Sequence, residues 1–312
     1  MAPTVSTRRP CASRLTTAHV TAMEPDWRQL QLENPELCFD SVLALGEGWN
    51  SRVFVVDDEL VFRFPKRPEH WEELSREIAF LRSVADHLPL KVPQYVRVVT
   101  DSLAAPCGYA AYPYLRGNAM EVSSLNDEKR SAAAESVAEF LRSLHSFIPP
   151  PEVASRLPRE DPRLVAEEYF ARTKREIMPK LASSDASHAR NVLEMYLKTP
   201  GNFAFQPVVL HADLSRDHIL MVNDAVIAAI DFGDVNWGDP DYDFTYLLLD
   251  FGQAFAEEVA RRYGHRNLKQ LRKKLHYFAL VDQIGTILDG QGQALQGEEE
   301  LAWHRLHQLL RN

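Results

Sequence analysis

The feature that most constrains the fold is a change of hydrophobic pattern part-way along the 312-residue chain. Before Leu115, short runs of β-branched and aromatic residues alternate with glycine-containing and acidic turns, which is typical of antiparallel strands. After Leu115, apolar residues recur mainly at helical spacing. This order predicts an α+β protein with two lobes and a cleft between them.

The first lobe is predicted to contain a five-stranded antiparallel sheet and one helix. Three strands come from the runs CFDSVLAL, RVFVV and LVFRF within residues 38–65, and two more come from QYVRVV and GYAAYPY. Residues 70–87 place Leu74, Ile78 and Leu81 on one face of a helix. In the second lobe, helices are predicted at residues 131–147, 162–181 and 186–197, and again from residue 242 onward.

Composition excludes several classes of protein. The chain has 45% hydrophobic and 25% charged residues, which is ordinary for a soluble globular protein. No apolar run approaches the length of about 18 residues that a membrane helix requires, so no membrane partner is expected. The three cysteines are far apart and lack metal-ligand spacing, which favours a reducing cytoplasm over a disulfide framework.

The N-terminal segment, residues 1–25, differs in kind from the rest. It is rich in Ser and Thr, carries three arginines, and has no acidic residue before Glu24. We interpret it as a disordered or non-native extension, with translation starting at Met23 or a targeting peptide as the alternatives.

Negative charge is concentrated in one segment of the chain. The formal net charge is −9, and residues 201–250 contain nine aspartates, no glutamate, and Arg216 as the single basic residue. Such a segment is a poor surface for nucleic acid and a good site for cations. Either a metal ion or a cationic substrate would account for it.

Within this segment, residues 208–234 place polar groups where apolar strands end. His211 and Asp213 follow one strand, His218 begins the next, and Asp231 follows the returning strand of a hairpin. We therefore expect Asp213, His218 and Asp231 to converge at one edge. They would supply a proton acceptor and two ligands for a hard cation.

Phosphoryl transfer needs such a set: a carboxylate that deprotonates a hydroxyl, and magnesium that neutralises charge between phosphates. A glycine-rich loop can also present backbone amides to phosphates, and GEGWNS, residues 46–51, connects the first two predicted strands. Its position between two strands argues against both a Walker and a Rossmann motif.

The run HADLSRDHIL, with Asp231 in DFGD 18 residues after Asp213, resembles the catalytic loop and metal motif of the aminoglycoside phosphotransferases and their protein-kinase-like relatives. The resemblance extends from about residue 40 through GEGWNS, VFRFPKR, LSREIAFL, GYAAYPYLRG and FLRSLHS, in that order. Within that family, the chain most resembles the aminoglycoside 2''-phosphotransferase branch.

This resemblance implies a bilobal protein-kinase-like fold and a kinase that moves the γ-phosphate of ATP or GTP to a hydroxyl of an aminoglycoside antibiotic, with Mg²⁺ as cofactor. Residues 26–113 would form the nucleotide-binding lobe. Residues 114–312 would form the helical lobe with the catalytic loop and the acceptor site. A cytoplasmic monomer is expected, acting on a cationic small molecule and causing antibiotic resistance.

The resemblance also assigns roles to residues of the helical lobe. Asp213 matches the catalytic base, and His211 matches the residue that orients its loop. Asp231 matches the principal magnesium ligand, with His218 as a second ligand where asparagine is usual. Asp243 matches a structural aspartate that supports the catalytic loop.

The implied nucleotide contacts are Gly46, Gly48, Ser51, Arg63, Lys66, Glu77, Tyr112 and Tyr114. Arg63 stands where a third-strand lysine that pairs with Glu77 is usual, and Lys66 lies three residues later. The resemblance leaves open which of the two contacts the phosphates.

The acceptor stays open at the level of sequence. Acidic residues that could line a cationic pocket are Asp250, Glu257, Glu258, Asp282, Asp289 and residues 298–300. The stretch YLLLDFGQAF is less acidic than expected for that branch, so a macrolide or a metabolite alcohol is an alternative acceptor. A catalytically silent nucleotide-binding module is a further alternative, because Arg63 and His218 depart from the usual residues.

Overall fold

The computed structural model describes residues 25–48, 50–290 and 297–311. The proposed N-terminal extension, apart from its last residue, lies outside these ranges, as do Trp49 and the side chain of Asp289.

The first lobe contains the predicted five-stranded antiparallel sheet. Its strands are β1 (Val42–Glu47), β2 (Ser51–Val56), β3 (Leu60–Pro65), β4 (Arg97–Val99) and β5 (Tyr109–Pro113), and they run in the order β1-β2-β3-β5-β4. On the inner face, Val55 and Val61 are buried in the main core together with the helix that follows β3. This helix spans His70–Val84, and its predicted apolar face is buried.

A short helix that the sequence pattern did not predict covers the outer face of this sheet. It spans Trp27–Glu33 and is helix α1, so the helix at His70–Val84 is α2. The Trp27 ring meets Phe54 and Phe64 edge-on, at centroid distances of 5.1 and 5.8 Å. Strand alternation therefore serves two apolar faces, one in the main core and one beneath α1.

The second lobe is mainly helical, as predicted. Its helices are α3 (Asp127–Ser146), α4 (Pro151–Ala154), α5 (Pro162–Arg172), α6 (Ser183–Lys198), α7 (Thr245–Phe251), α8 (Gln253–Tyr263), α9 (Leu268–Gly290) and α10 (Glu298–Arg311). The helix predicted at residues 162–181 is shorter than expected. After Arg172 the chain forms a π-helical turn over Thr173–Ile177 and a 3-10 turn over Met178–Lys180, because Pro179 cannot continue an α-helix.

Short strands position the catalytic segment. They are β6 (Asn118–Ala119), β7 (Val208–Leu210), β8 (Ile219–Val222), β9 (Ala225–Ala229) and β10 (Asn236–Gly238). Strands β8 and β9 form the predicted hairpin, whose turn residues Asn223 and Asp224 have φ values of 50° and 65°. Strand β7 pairs with β10, so the segments after β7 and after β9 emerge side by side.

Across the ranges that the structure describes, no helix combines the length and the apolar character needed to cross a membrane.

Candidate active site

The loop that follows β7 is held by a buried carboxylate. Asp243 accepts hydrogen bonds from the backbone N–H of His211, at 3.0 Å, and of Ala212, at 2.7 Å. Ala212 adopts a left-handed conformation with φ 67°, which is strained for a residue with a side chain. The two bonds from Asp243 therefore fix the backbone immediately before Asp213.

Asp243 is in turn held from the side of α3 and α8. His145 Nε2 lies 3.0 Å from Asp243 Oδ2, and His145 Nδ1 lies 2.9 Å from the Tyr263 hydroxyl. Burial, together with Asp243 and Asp241, raises the pKa of Tyr263 to about 12. This hydroxyl therefore stays protonated and donates a hydrogen bond to His145 Nδ1. The imidazole then donates its own N–H to Asp243.

His211 connects the catalytic loop to the strand that precedes Asp231. Burial lowers the pKa of His211 to about 4, so the ring is neutral at physiological pH. Its Nε2 donates to the Ile230 carbonyl at 3.1 Å, and its Nδ1 accepts from the Asp213 backbone N–H at 3.3 Å. The ring also packs on Phe232 at a centroid distance of 4.4 Å. These contacts fix the distance between the segments that carry Asp213 and Asp231.

The Asp213 side chain is buried and short of donors. The residue is 6% exposed, and Oδ1 has no hydrogen-bond partner in the part of the chain that the structure describes. Burial raises the pKa of Asp213 well above its usual value, and the carboxylates of Asp234, Asp231, Asp282 and Asp250 raise it further. A cation or a proton donor arriving here would be strongly favoured.

His218 and Asp231 face each other across a gap that suits a cation. His218 Nδ1 donates to the Asp213 carbonyl at 2.7 Å, so Nε2 carries the lone pair whenever the ring is neutral. This Nε2 lies 3.6 Å from Asp231 Oδ2, close enough for one cation to contact both atoms. The predicted convergence of Asp213, His218 and Asp231 is therefore present.

The donor set fits magnesium only in part. Within residues 25–48, 50–290 and 297–311, no group of three or more His, Cys, Asp or Glu side chains could hold a metal ion. Magnesium in phosphate-transferring sites usually takes one or two carboxylates, with substrate phosphates and water as the other ligands. Asp231 and His218 meet the protein share of that requirement, although nitrogen is a less typical ligand.

On the nucleotide side, Arg63 pairs with Glu77, as the resemblance implies. Arg63 Nη1 lies 2.8 Å from both Glu77 oxygens, and the Tyr95 hydroxyl donates to Glu77 at 3.0 Å. Arg63 Nη2 reaches Asp231 Oδ1 at 3.5 Å. Burial would raise the pKa of Asp231, but Arg63 and then His218 hold it below its usual value.

Lys66 lies apart from this ion pair. It follows the end of β3, where its backbone N–H donates to the Asn50 carbonyl at 2.8 Å. Its charge acts instead on Glu298, at the start of α10. In the glycine loop, the Gly48 N–H donates to the Ser51 carbonyl at 3.0 Å, and Ser51 is buried.

The segment between the lobes offers few backbone donors to a nucleotide base. Pro113 has no amide hydrogen, and the Tyr114 N–H donates to the Glu59 carbonyl at 2.7 Å. Tyr112 is buried and meets Tyr95 edge-on at 5.1 Å. Base contacts of Tyr114 are thereby limited to its carbonyl and its side chain.

Two of the acidic residues predicted for the acceptor side, Asp250 and Asp282, raise the pKa of Asp213. Asp250 accepts from the Arg216 backbone N–H at 3.0 Å and from Arg305 at 3.4 Å. Asp282 accepts from the Tyr246 hydroxyl at 2.7 Å. By contrast, Glu257 pairs with Arg272, and Glu258 pairs with Arg262.

The sequence can now be compared with known proteins. The model of the phosphotransferase enzyme family, APH, matches residues 41–278. The chain belongs to this family. Its members act as kinases on hydroxyl groups, so the protein is a phosphotransferase with an alcohol group as acceptor.

Solved structures of similar fold cover nearly the whole chain. The GDP and kanamycin complex of aminoglycoside 2''-phosphotransferase IIIa has a TM-score of 0.84 and 27% identity, over 92% of this chain and 98% of that chain. The gentamicin complex of the IIa enzyme has a TM-score of 0.72 and 23% identity, over 93% and 97%. The apoenzyme of a macrolide 2'-phosphotransferase from Brachybacterium faecium has a TM-score of 0.70 and 21% identity, over 90% and 98%. The last two show the fold alone, and all three confirm the predicted bilobal protein-kinase-like architecture.

Three residues of the site were missed by sequence reasoning. Tyr95 bonds to Glu77, Tyr263 supports His145, and Arg305 bonds to Asp250. Each lies far along the chain from its partner, and no local pattern signals such a contact.

Proposed function

We propose that the protein transfers the γ-phosphate of ATP or GTP to a hydroxyl of an aminoglycoside. The observation that carries this proposal is the buried Asp213 carboxylate, which lies among other carboxylates and next to the facing donors of His218 and Asp231. A base with an unpartnered oxygen, beside a gap that suits a cation, is the arrangement that hydroxyl phosphorylation needs.

In the proposed reaction, Asp213 accepts the proton of the acceptor hydroxyl. The hydroxyl oxygen forms a bond to the γ-phosphorus, the bond from that phosphorus to the bridging oxygen breaks, and the nucleoside diphosphate leaves with the electron pair. Asp243 and His211 keep the base in position through the backbone bonds described above. A magnesium ion, held by Asp231 and His218 when bound, supplies positive charge between the phosphates.

We assign nucleotide binding to residues 26–113 and acceptor binding to residues 114–312. In the first lobe, phosphate contacts are assigned to the glycine loop, through Gly46, Gly48 and Ser51, and to Lys66, which follows β3. Arg63 orients the site through Glu77 and Asp231. Contacts with the purine base of the nucleotide are assigned to the linker residues 112–114.

The acidic surroundings of Asp213 support a cationic acceptor, since amino groups would relieve the repulsion among Asp213, Asp234 and Asp282. The relative that is 27% identical binds kanamycin, which agrees with this class. A second candidate is a hydroxyl compound with fewer charges, such as a macrolide or a metabolite alcohol. It is favoured because Asp250 already accepts hydrogen bonds from the Arg305 side chain and from the backbone N–H of Arg216.

The test is phosphate transfer by the purified protein with ATP or GTP and magnesium, across kanamycin-type aminoglycosides, macrolides and metabolite alcohols. We expect transfer to an aminoglycoside, and a loss of about 10²- to 10⁴-fold in Asp213→Asn, the range expected when a general base is removed. Transfer only to another class would discard the aminoglycoside. Transfer that survives unchanged in Asp213→Asn would discard the assigned base.

We further propose a monomer that works in the cytoplasm, where an enzyme with kanamycin turnover would confer resistance. The widely spaced cysteines agree with a reducing compartment. Light scattering of the purified protein tests whether it is a monomer. Growth on kanamycin of cells that express the protein tests whether it confers resistance.

A further inference from the structure

The turn that carries Asp243 is itself held by a cluster of buried charges. This 3-10 turn, Pro240–Phe244, lies between β10 and α7. Asp239 and Asp241 flank Pro240, and Asp239 Oδ1 accepts a hydrogen bond from the Asp241 backbone N–H at 3.1 Å. Both aspartates are buried. Two buried carboxylates this close together require a compensating cation.

Lys274, on α9, supplies this cation. The residue is 4% exposed, which is rare for a lysine. Its Nζ lies 2.6 Å from Asp239 Oδ2 and 2.5 Å from Asp241 Oδ2, so one ammonium group joins the two carboxylates. The same Nζ lies 5.6 Å from the centre of the Phe205 ring, in the segment that leads into β7. Lys274 therefore contacts the segment before the catalytic loop as well as the turn that supports this loop.

A histidine completes the cluster without adding a charge. His265 Nδ1 accepts from the Asn267 backbone N–H at 3.2 Å, so the ring hydrogen is on Nε2, which donates to Asp241 Oδ1 at 3.0 Å. Gly264, with φ 100°, ends α8 and turns the chain so that His265 reaches Asp241. Asp241 thus keeps a donor of its own when Lys274 is replaced.

The cluster is connected to Asp213 through the next residues of the same turn. Asp243 lies two residues after Asp241 and accepts from the backbone N–H groups of His211 and Ala212. Ala212, which is held at φ 67°, directly precedes Asp213. A displacement of the turn would therefore lengthen these two bonds and move the backbone that presents Asp213.

Stability alone is a weak reason for such a cluster, because apolar side chains of similar volume are often as stable as a buried ion pair. A cluster of directed charges can instead fix one geometry of the segments that it joins. We propose that Lys274 is a positioning residue of the phosphotransfer reaction, which holds the turn Pro240–Phe244 so that Asp243 sets the catalytic loop. The inference rests on the proposed function, in which Asp213 is the base.

The experiment compares the parent protein with Lys274→Met, the charge-balanced double variant Lys274→Met/Asp239→Asn, and a control, Lys273→Met, at an exposed position of the same helix. The double variant removes one charge of each sign and keeps a side-chain oxygen that can accept from the Asp241 N–H. Three quantities are measured: steady-state kinetics with the best acceptor, the thermal midpoint, and hydrogen–deuterium exchange of the amides in residues 208–214.

We expect Lys274→Met to lower both the thermal midpoint and kcat. The double variant should recover the midpoint, because the charges are balanced again, while its kcat stays about tenfold below that of the parent and the KM for the nucleotide is unchanged. The amides of His211 and Ala212 should exchange faster in the double variant, whereas those of β2 and β3 exchange as in the parent. Lys273→Met should behave as the parent.

The outcomes separate this inference from the proposed function. If the folded double variant has the kcat of the parent and the same exchange in residues 208–214, the cluster serves stability alone and the inference is wrong. If the parent transfers no phosphate to any acceptor, the proposed function is wrong, and exchange alone then decides. Faster exchange in residues 208–214 supports the role of Lys274, and equal exchange overturns it. Should the double variant fail to fold, Lys274→Met/Asp241→Asn replaces it, since Asn can still accept from His265.

Discussion

Glu77 and Asp213 are both buried carboxylates near the cleft, yet their surroundings are opposite. Glu77 is 1% exposed, and Arg63 and Tyr95 donate to it. Asp213 is 6% exposed, has one oxygen without a partner in the described part of the chain, and is surrounded by like charges. Glu77 thus has a cationic partner within the folded chain, whereas the Oδ1 atom of Asp213 has no hydrogen-bond partner in the described residues.

This difference indicates where binding energy is used. A buried carboxylate with donors stabilises one conformation, while a buried carboxylate among others favours any ligand that brings positive charge. We expect the two carboxylates to respond in opposite directions when they are neutralised.

The largest effect is expected from breaking the complete pair. Glu77→Leu leaves Arg63 buried with Asp231, 3.5 Å away, as its remaining carboxylate partner, and should lower the free energy of unfolding by about 3–5 kcal/mol. The double variant Arg63→Met/Glu77→Leu should recover a large part of this loss, because no unpaired charge is then left from the pair. Denaturant titration of the single and double variants measures the coupling. Losses that simply add would contradict the description of a tightly coupled pair.

The next effect concerns the support of the catalytic loop. His145→Leu removes one donor from Asp243, and hydrogen bonds to charged groups contribute about 1.5–3 kcal/mol, so kcat should fall by about tenfold or more. The KM for the nucleotide should not change, because the His145 side chain bonds to Asp243 and Tyr263 and to none of the proposed nucleotide contacts. His145→Gln, which keeps an N–H at a similar reach, should restore part of kcat.

A matched control is His87→Leu, since His87 is exposed and contacts Ser146 instead of the catalytic loop. Steady-state kinetics of the three variants, with their thermal midpoints, separates positioning from general destabilisation. A parallel fall of kcat in His87→Leu would remove the special status of His145.

At Asp213, the proposed base, we expect a smaller change in stability, and a gain instead of a loss. The folded-state pKa of Asp213 is raised, so its contribution to stability is present at low pH and is lost as the pH rises through that value. At pH 7 without divalent ions, Asp213→Asn should therefore be more stable than the parent, by about 1 kcal/mol or more. The gain should shrink towards pH 4. Denaturant titrations in EDTA at several pH values test this, and a less stable Asp213→Asn at pH 7 would contradict the proposed charge imbalance.

The smallest effect is expected at Glu298, near Lys66. Burial raises the pKa of Glu298 to about 7, with Lys66 opposing the rise. Stability should fall in the parent as the pH rises from about 4.5 to about 7, and this fall should be absent in Glu298→Gln. Because the residue is partly exposed and screened by solvent, we expect a difference of only a few tenths of a kcal/mol, about 1 °C in Tm. Calorimetry at pH 5 and pH 8 measures it.

Much of the fold was predictable because short stretches of the sequence carry the hydrophobic spacing of the element that they form. Strand alternation in the first lobe and helical spacing in α2 and α3 both follow from which faces are buried. Helix α1 was not predicted because it has seven residues and Leu30 as its buried residue, and one buried position does not define a helical period. The predicted helix at residues 162–181 is too long because it includes Pro179, which interrupts helical hydrogen bonding.

The site was predictable where its residues are close in sequence. Asp213, His218 and Asp231 converge because one hairpin carries them, and a hairpin has few possible geometries. The sequence left open whether Arg63 or Lys66 contacts the phosphates, and the structure shows that Arg63 is the one paired with Glu77. Arg63 shares the inner face of β3 with Val61 at a spacing of two, whereas Lys66 lies beyond the end of the strand.

Arg63 also determines how the two lobes are placed relative to each other. One guanidinium reaches Glu77 on α2 with one nitrogen and Asp231 of the second lobe with another. An ammonium group, being a single point, could follow only one of these partners when the cleft changes width. An arginine at this position thus spans the two lobes, from helix α2 to Asp231, the carboxylate that is proposed to hold magnesium.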